Sequence, residues 1–473
     1  MSKKLVYVVL VCLALSVLLA SAAQAKPPKP PSIEQRVAAL EALVAAQGTR
    51  IASLEARVTE LQTNPVMALG SYVSVNLNSM NGVKGPNIVF VGANVQVRSS
   101  RSETDATGLG NLIVGWNDGF VDPTPGYRSG SNNLIVGDWN TFPASGCFVA
   151  GSHNVASGPY ASVSGGDDNT ANGQNASVSG GRMNTVDGAY ASVSGGESNS
   201  AAGTSASVTG GESNTVAASG DAASIGGGTG NSASAFAASV SGGAGNQATT
   251  LWSSVGGGYF NVAAGDAATV SGGANNSASG KNASVSGGQE NHANNDFSSV
   301  SGGFNNTATG KWSSISGGDT NVAGGGVASI SGGYKCTAGG GVASVSGGQE
   351  NHANNNFSSV SGGWGNVADG VWASVSGGWS NAAKGLHDSV SGGDRNVADG
   401  GRCSVTGGTG NTATGEASSV TGGLRNTASG AASSVSGGVD NTASAECSSV
   451  SGGNNILLDV LFAPWAGGSY HTP

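Results

Sequence analysis

The side chains with the most potential for chemistry in this chain are few and far apart. His292 and His352 lie in two separate copies of the sequence QENHANN. After Ala25 there are four cysteines, and no two of them form a Cys-x-x-Cys pair: Cys147, Cys336, Cys403 and Cys447. The chain has neither the His-Glu-x-x-His pattern of zinc proteases nor the Gly-x-x-x-x-Gly-Lys pattern of phosphate-binding loops. The sequence therefore predicts no enzyme activity, no metal site and no cofactor, and it leaves open whether the thiols are isolated or contact another chain.

The abundant functional group is the serine hydroxyl, and it recurs at a fixed spacing. The sequence ASVSGGDDNTANGQN, residues 161–175, begins the first of 20 copies of the motif Ala/Ser-Ser-Val-Ser/Thr-Gly-Gly, with few substitutions. The copies follow one another with a 15-residue period from Ala161 to Ser448, except for one 17-residue step. These hydroxyls lack the histidine and acid partners that would activate a nucleophile. A period this strict is typical of a solenoid.

The pattern within one copy predicts a rung of two short strands. Val163 is flanked by serines, so alternation places the valine on one face and the hydroxyls on the other. Gly165 and Gly166 are expected to turn the chain, because glycine adopts a positive φ without steric cost. In the second strand Asn169 and Ala171 share a face, and the asparagines of stacked rungs are expected to hydrogen-bond along the axis as a ladder.

The predicted fold is thus an all-β solenoid, a parallel β-roll of 15-residue rungs over residues 161–453. Residues 111–160 contain imperfect copies and are expected to form irregular first rungs. At about 4.8 Å per rung, 20 rungs extend roughly 95 Å. One valine and one alanine per rung make a thin interior, so packing several rolls around a common axis would bury a second face. Residues 454–473, with the apolar run ILLDVLF, are expected to cap the open end.

The N-terminal residues predict export and then assembly. Residues 1–25 have a basic start, an apolar run and a small-residue end, which indicates a secretory signal peptide cleaved after Ala25. An uncleaved membrane anchor is the alternative. A proline-rich linker, 26–32, follows. Removing Lys3 and Lys4 with the signal changes the formal charge from -9 to -9 - 2 = -11, and this acidity argues against nucleic acid and anionic membranes as partners.

Residues 33–64 carry apolar side chains in alternating steps of four and three, which predicts a parallel coiled-coil helix. Its seam consists of Val37, Leu40, Val44, Gln47, Ile51, Leu54, Val58 and Leu61. A single amphipathic helix packed on its own domain is the alternative, and the seam by itself does not distinguish a dimer from a trimer. Residues 65–110 alternate like β-strands around Asn- and Gly-bearing turns and predict a β-rich neck. No integral membrane segment is expected in the mature chain.

The residues that vary from rung to rung are the candidate binding residues. Large rings occupy two places, just before the motif and just after its glycine pair. The rings are Tyr160, Tyr190, Trp252, Phe297, Trp312, Phe357 and Trp372 in the first row, and Tyr259, Phe304, Tyr334, Trp364 and Trp379 in the second. Such rows would stack on sugars or dock a partner; packing between adjacent rungs is the structural alternative. In the first copy the least repetitive residues, Asp167, Asp168 and Asn175, mark further sites of specificity, and the hydroxyl face gives ice binding as a third function.

The order of signal peptide, coiled coil, GLGNLIVGWND and tandem ASVSGGxxNxAxG resembles secreted bacterial proteins with the head repeats of YadA-like trimeric autotransporter adhesins. This resemblance implies a left-handed parallel β-roll, a homotrimer, and an adhesive or structural role at a host or environmental surface, in extracellular matrix or on glycans. It implies an extracellular or bacterial cell-surface location. Two departures are the 15-residue rung and the lack of the family's C-terminal anchor barrel, so membrane anchoring is not carried over.

Overall fold

The computed structural model describes residues 29–99, 107–115, 117 and 127–460, together with Leu13 and the backbone of Pro464–Trp465. The predicted signal peptide, apart from Leu13, therefore lies outside the described residues, as does most of the predicted cap. The chain divides into two units, residues 1–96 and 97–473.

The first unit contains one long helix, α1, at Ile33–Thr63. A capping box begins it: Ser32 Oγ accepts from the Gln35 N–H at 3.3 Å, and Gln35 Oε1 accepts from the Ser32 N–H at 3.0 Å. The helix ends before Pro65, because proline disfavours helical geometry in the residue that precedes it. This range agrees with the predicted coiled-coil segment to within one residue.

The segment predicted as a β-rich neck is strand only in part. A 3-10 helix at Pro65–Ser71 follows α1, with Asn64 Oδ1 accepting from the Val66 N–H. Strands β1 (Val73–Asn76) and β2 (Asn87–Phe90) then pair antiparallel. Asparagine in the N-cap position followed by proline is a helix-start signal that the β-like alternation obscures.

The second unit is a parallel β-solenoid. Its first strands are β3 (Leu112–Val114), β4 (Leu134–Asp138), β5 (Phe148–Ser152) and β6 (Val155–Ala156). In the regular rungs, positions are counted from the first motif residue. Odd-numbered strands occupy positions 2 and 3, from β7 (Ser162–Val163) to β45 (Ser449–Val450), and even-numbered strands occupy positions 10 and 11, from β8 (Thr170–Ala171) to β46 (Leu457–Leu458). Strand β47 (Pro464–Trp465) pairs with β45.

The strands stack in register into two parallel sheets, one formed by β3, β4, β5 and the odd-numbered strands from β7, the other by the even-numbered strands from β6. The 17-residue rung keeps this register: Ser207 pairs with Ser224 and Thr215 with Ser232. Its two extra residues therefore lie in the turn beyond β14. The predicted solenoid is confirmed, whereas its handedness, the pairing of the helix and the trimer stay predictions.

The interior is built from columns of identical side chains. Val163, Ala171 and Asn169 have no exposed surface, and their equivalents are buried along nearly the whole stack. Each ladder asparagine makes side-chain hydrogen bonds within its own rung and to the next: Asn291 Oδ1 accepts from the Asn306 N–H at 3.0 Å, and Asn291 Nδ2 donates to the carbonyl oxygens of Gly287 and Gly303, each at 2.9 Å. This confirms the predicted asparagine ladder.

The irregular first rungs already carry the ladder. Asn140 receives from the Asn154 N–H, and Asn154 from the Asn169 N–H. The rung 147–160 is one residue shorter than the regular rungs, since Phe148 pairs with Ser162. Gly151 in this rung matches Gly166 of the next, and the residue missing is the one at position 5.

The glycine pair of the motif is not uniform, which corrects the expectation that both glycines turn the chain. Gly166 has φ +85°, and a Cβ on it would lie 2.1 Å from the Gly181 oxygen. Gly165 has no positive φ, and a Cβ there would meet nothing within 4 Å. Position 6 has a positive φ in every copy, whereas at position 5 only Gly227 and Gly257 have one, at +154° and +155°. At position 13 glycine allows close approach in most rungs, since a Cβ on Gly173 would lie 2.0 Å from the Gly188 oxygen, although Ala235, Asn295 and Asn355 stand there in other copies.

Candidate interaction surfaces

The first aromatic row lies at position 15, where the backbone is left-handed. Its seven rings have φ between +53° and +61°. This conformation costs a non-glycine residue roughly 1–2 kcal/mol, and cross-rung hydrogen bonds hold it. For example, the Trp312 N–H donates to the Asp296 oxygen and the Trp372 N–H to the Asn356 oxygen, both at 3.0 Å. The position-15 side chains are thereby aligned along the stack.

The rings of this row pack on one another from rung to rung. Phe357 and Trp372 stack with centroids 3.9 Å apart and planes 3° apart. His387 in the next rung stacks on Trp372 at 6.1 Å and 11°. Phe297 and Trp312 form a second stacked pair, at 5.8 Å. In these groups the ring faces are turned towards the neighbouring rings.

The second aromatic row lies at position 7, where each residue bridges to its equivalents in the adjacent rungs. Trp364 and Trp379 pack with centroids 5.5 Å apart and planes 54° apart. The Arg395 guanidinium lies 5.4 Å from the Trp379 ring, a cation–π distance. Lys335 lies 4.9 Å from the Tyr334 ring, and Tyr334 raises the pKa of this lysine.

All twelve predicted rings therefore lie on these two rows, and all are exposed. Trp252 is 61% exposed, Trp312 53% and Trp372 49%, so each ring buries about half of its surface and leaves the rest to solvent. The sequence interpretation missed His387 and Phe236, which packs edge-on against Trp252. The 15-residue count would have found His387, since it follows Trp372 by one rung.

A different surface runs along the first strands. We call positions 2, 4 and 5 of the 20 regular rungs the first-strand face. It holds only Ser, Thr and Gly, and it has no charged side chain over its whole length. Position 5 is glycine in every copy, although a Cβ at any of these glycines would meet nothing closer than 3.9 Å.

The seam of helix α1 is a third surface. All eight predicted seam residues are exposed, and the helix has no buried residue. The exposed fractions of its apolar members run from 46% at Val37 to 65% at Val44.

Comparison with protein-family models and with curated protein sequences found no match. Function is therefore inferred from the surfaces of this chain.

The thiols and the two QENHANN histidines form no joint site. Cys147, Cys336 and Cys403 are buried and Cys447 is exposed, and all four are unpaired. Burial raises the pKa of the Cys147 and Cys336 thiols, which lowers their reactivity. His292 and His352 lie in β24 (His292–Ala293) and β32 (His352–Ala353), four strands apart in one sheet.

Proposed function

We propose that this chain is a secreted structural or adhesive surface protein, without catalytic activity, that assembles as a homotrimer. The observation that carries the proposal is the exposed seam of helix α1. Seven of its eight residues are large and apolar, and an exposed apolar stripe of this kind marks an interaction site. Identical seams on three parallel copies would bury one another, which also fits the resemblance of the repeats to trimeric adhesin heads.

The charges on the same helix favour a coiled coil over a membrane span. The helix is long and apolar enough to cross a bilayer by length and composition. However, Glu41 and Arg50 lie in its middle, and a charged side chain near the bilayer centre is costly. Arg36 with Glu41, and Arg50 with Glu55, have the five-residue spacing of salt bridges between parallel chains.

The first-strand face supports a second contact between copies. The shorter rung 147–160 closes without a residue at position 5, so this residue is not needed to stack one chain. A glycine such as Gly287 also has no steric need for its missing side chain within the chain. Close approach of another copy to this uncharged face would explain why glycine stands there in all 20 rungs.

The test of assembly is light scattering on the mature chain. We expect a mass three times that of one chain. Ile51→Asp with Leu54→Asp should give single chains with unchanged β circular dichroism, because six carboxylates cannot share one apolar seam. Thr49→Asp with Ala56→Asp adds the same charge away from the seam and should remain trimeric. A monomeric wild-type chain, or a trimeric seam variant, would contradict the proposed interface.

The adhesive role is tested by locating the protein and measuring its binding to extracellular matrix and to cells. Cell fractionation should find the protein in the medium or at the cell surface. The purified trimer should bind immobilised extracellular matrix or whole cells more strongly than the monomeric seam variant, because three linked copies gain from multivalency. Retention inside the cell would refute secretion, and equal binding by trimer and monomer would refute a role for assembly in adhesion.

Carbohydrate binding is the second candidate, favoured by the half-exposed rings of the two rows. A sugar platform needs open ring faces. The faces of Phe357 and Trp372, and those of Phe297 and Trp312, are turned to each other, whereas Trp252 meets Phe236 edge-on, so Trp252 is the best candidate. Glycan-array binding that disappears in Trp252→Ala with Trp312→Ala would support this function. Unchanged binding in the double variant would remove it.

A further inference from the structure

One cluster of imidazole and carboxylate side chains joins the last irregular rung to the first regular one. His153 occupies position 8 of the rung 147–160, and Asp168 occupies position 8 of the next rung. Both have a left-handed backbone, with φ +54° and +56°. Asp167 lies beside them at position 7 and bridges to Ser152. Stacking in register thus gathers three potential metal ligands from two rungs.

The distances within this cluster suit one small cation. His153 Nδ1 lies 3.1 Å from Asp167 Oδ1, and one ligand atom from each of the three residues lies within 4.8 Å of the others. Metal–ligand bonds of about 2.0–2.2 Å separate neighbouring ligands by roughly 3–4 Å. Only small side-chain rotations would therefore bring all three atoms into contact with an ion.

The charges around the cluster are not balanced by the chain itself. The Asp168 carboxylate makes no hydrogen bond or ion pair within the parts of the chain that the structure describes. Arg182, the position-7 neighbour of Asp167 in the next rung, forms its ion pair with Glu197. Two carboxylates therefore lie beside one imidazole.

The imidazole is also held in place. The Trp139 ring packs against His153 with centroids 4.7 Å apart and planes 38° apart. Ser152 Oγ and Asp167 Oδ1 lie 3.0 and 3.1 Å from His153 Nδ1, so this nitrogen faces the Asp167 carboxylate. An imidazole with two carboxylates suits Zn²⁺, Ni²⁺ or Cu²⁺, whereas Ca²⁺ and Mg²⁺ prefer oxygen ligands alone.

We propose that His153, Asp167 and Asp168 bind one divalent transition-metal ion, such as Zn²⁺, across the junction between the irregular and the regular rungs. The three protein ligands leave coordination positions open to solvent. The ion fastens the rung 147–160 to the first regular rung, and its binding depends on neither the trimer nor the adhesive role.

The experiment is calorimetric titration of the mature chain with Zn²⁺, alongside Ca²⁺. We expect one Zn²⁺ site per chain. His153→Ala and Asp168→Asn should each weaken it at least about tenfold, the loss that even an outer-shell change causes. His387→Ala removes another solenoid histidine and should leave the affinity unchanged. All three positions are exposed or stacked at the surface, so the variants should fold, and circular dichroism verifies this.

A second measurement, amide exchange, tests whether Zn²⁺ stabilises only the rungs that bind it. Zn²⁺ should slow amide exchange in residues 148–172 and leave residues 283–342 unchanged, because an ion that binds only the folded rungs stabilises them. The proposal is overturned if His153→Ala binds Zn²⁺ as the wild-type chain does, or if Ca²⁺ binds as tightly as Zn²⁺.

Discussion

Helix α1 and the solenoid differ in how many of their side chains are buried within the chain. The helix buries none of its side chains, whereas nearly every regular rung buries a valine or isoleucine, a small apolar residue and an asparagine against its neighbours. A rung packs against the neighbouring rungs of the same chain, whereas in the proposed trimer the helix packs against other chains. Solenoid mutations should therefore change the stability of nearby rungs, and helix mutations should change assembly.

Within one chain, the largest loss of stability should follow from replacing the glycine at position 6. In Gly288→Ala the new Cβ would lie 2.2 Å from the Gly303 oxygen, at a residue with φ +84°. Backbone strain, the clash and disturbance of the Asn291 amide should together cost about 3–5 kcal/mol of local unfolding free energy. Amide exchange in residues 273–318 measures this cost.

The adjacent substitution Gly287→Ala is the matched control, because its Cβ would meet nothing within 4 Å. Exchange in the same rungs should stay at the wild-type rate. If both variants opened these rungs equally, the distinction between positions 5 and 6 would be refuted.

A smaller loss of unfolding free energy is expected when an asparagine of the ladder is replaced. Asn291→Ala removes the acceptor of the Asn306 N–H and two donated hydrogen bonds from a side chain with no exposed surface. Unsatisfied buried groups should cost about 2–4 kcal/mol. Denaturant unfolding followed by amide exchange measures the loss. Asn294→Ala, at an exposed position in the same rung, should stay within about 0.5 kcal/mol of wild type; a comparable loss there would count against a special role for the ladder.

A still smaller effect, a gain in local stability, is expected at Cys336, where the asparagine ladder is interrupted. At this rung the Cys336 sulfur takes the place of the amide oxygen as the partner of the Asn351 N–H, and a thiol is a weaker acceptor than an amide oxygen. Cys336→Asn should restore the ladder and raise local stability by about 1–2 kcal/mol. Slower exchange of the Asn351 amide would verify the repair. An unchanged rate would mean that the thiol already satisfies this site.

The sequence was sufficient to predict the rung, because its period, its alternation and its asparagine column are properties of one repeat. It did not separate Gly165 from Gly166, since their difference depends on the neighbouring rung. Nor did it predict that Phe357 and Trp372 stack face to face, which requires the ring orientations. The His153 cluster left a signal that was overlooked: His153 precedes Asn154 as Asp168 precedes Asn169.

The smallest effect concerns the two buried thiols and their response to pH. Burial raises the pKa of Cys147 and Cys336 in the folded solenoid, while in the unfolded chain they titrate near the ordinary value of 9.0. Above that pH the unfolded state loses protons that the folded state keeps, so folding stability should fall as pH rises. Unfolding at pH 8 and pH 10 should therefore show a larger loss in the wild-type chain than in Cys336→Asn. Cys447→Ser, which removes an exposed thiol, should respond like wild type, and equal losses in all three proteins would show that the buried thiols do not cause the pH dependence.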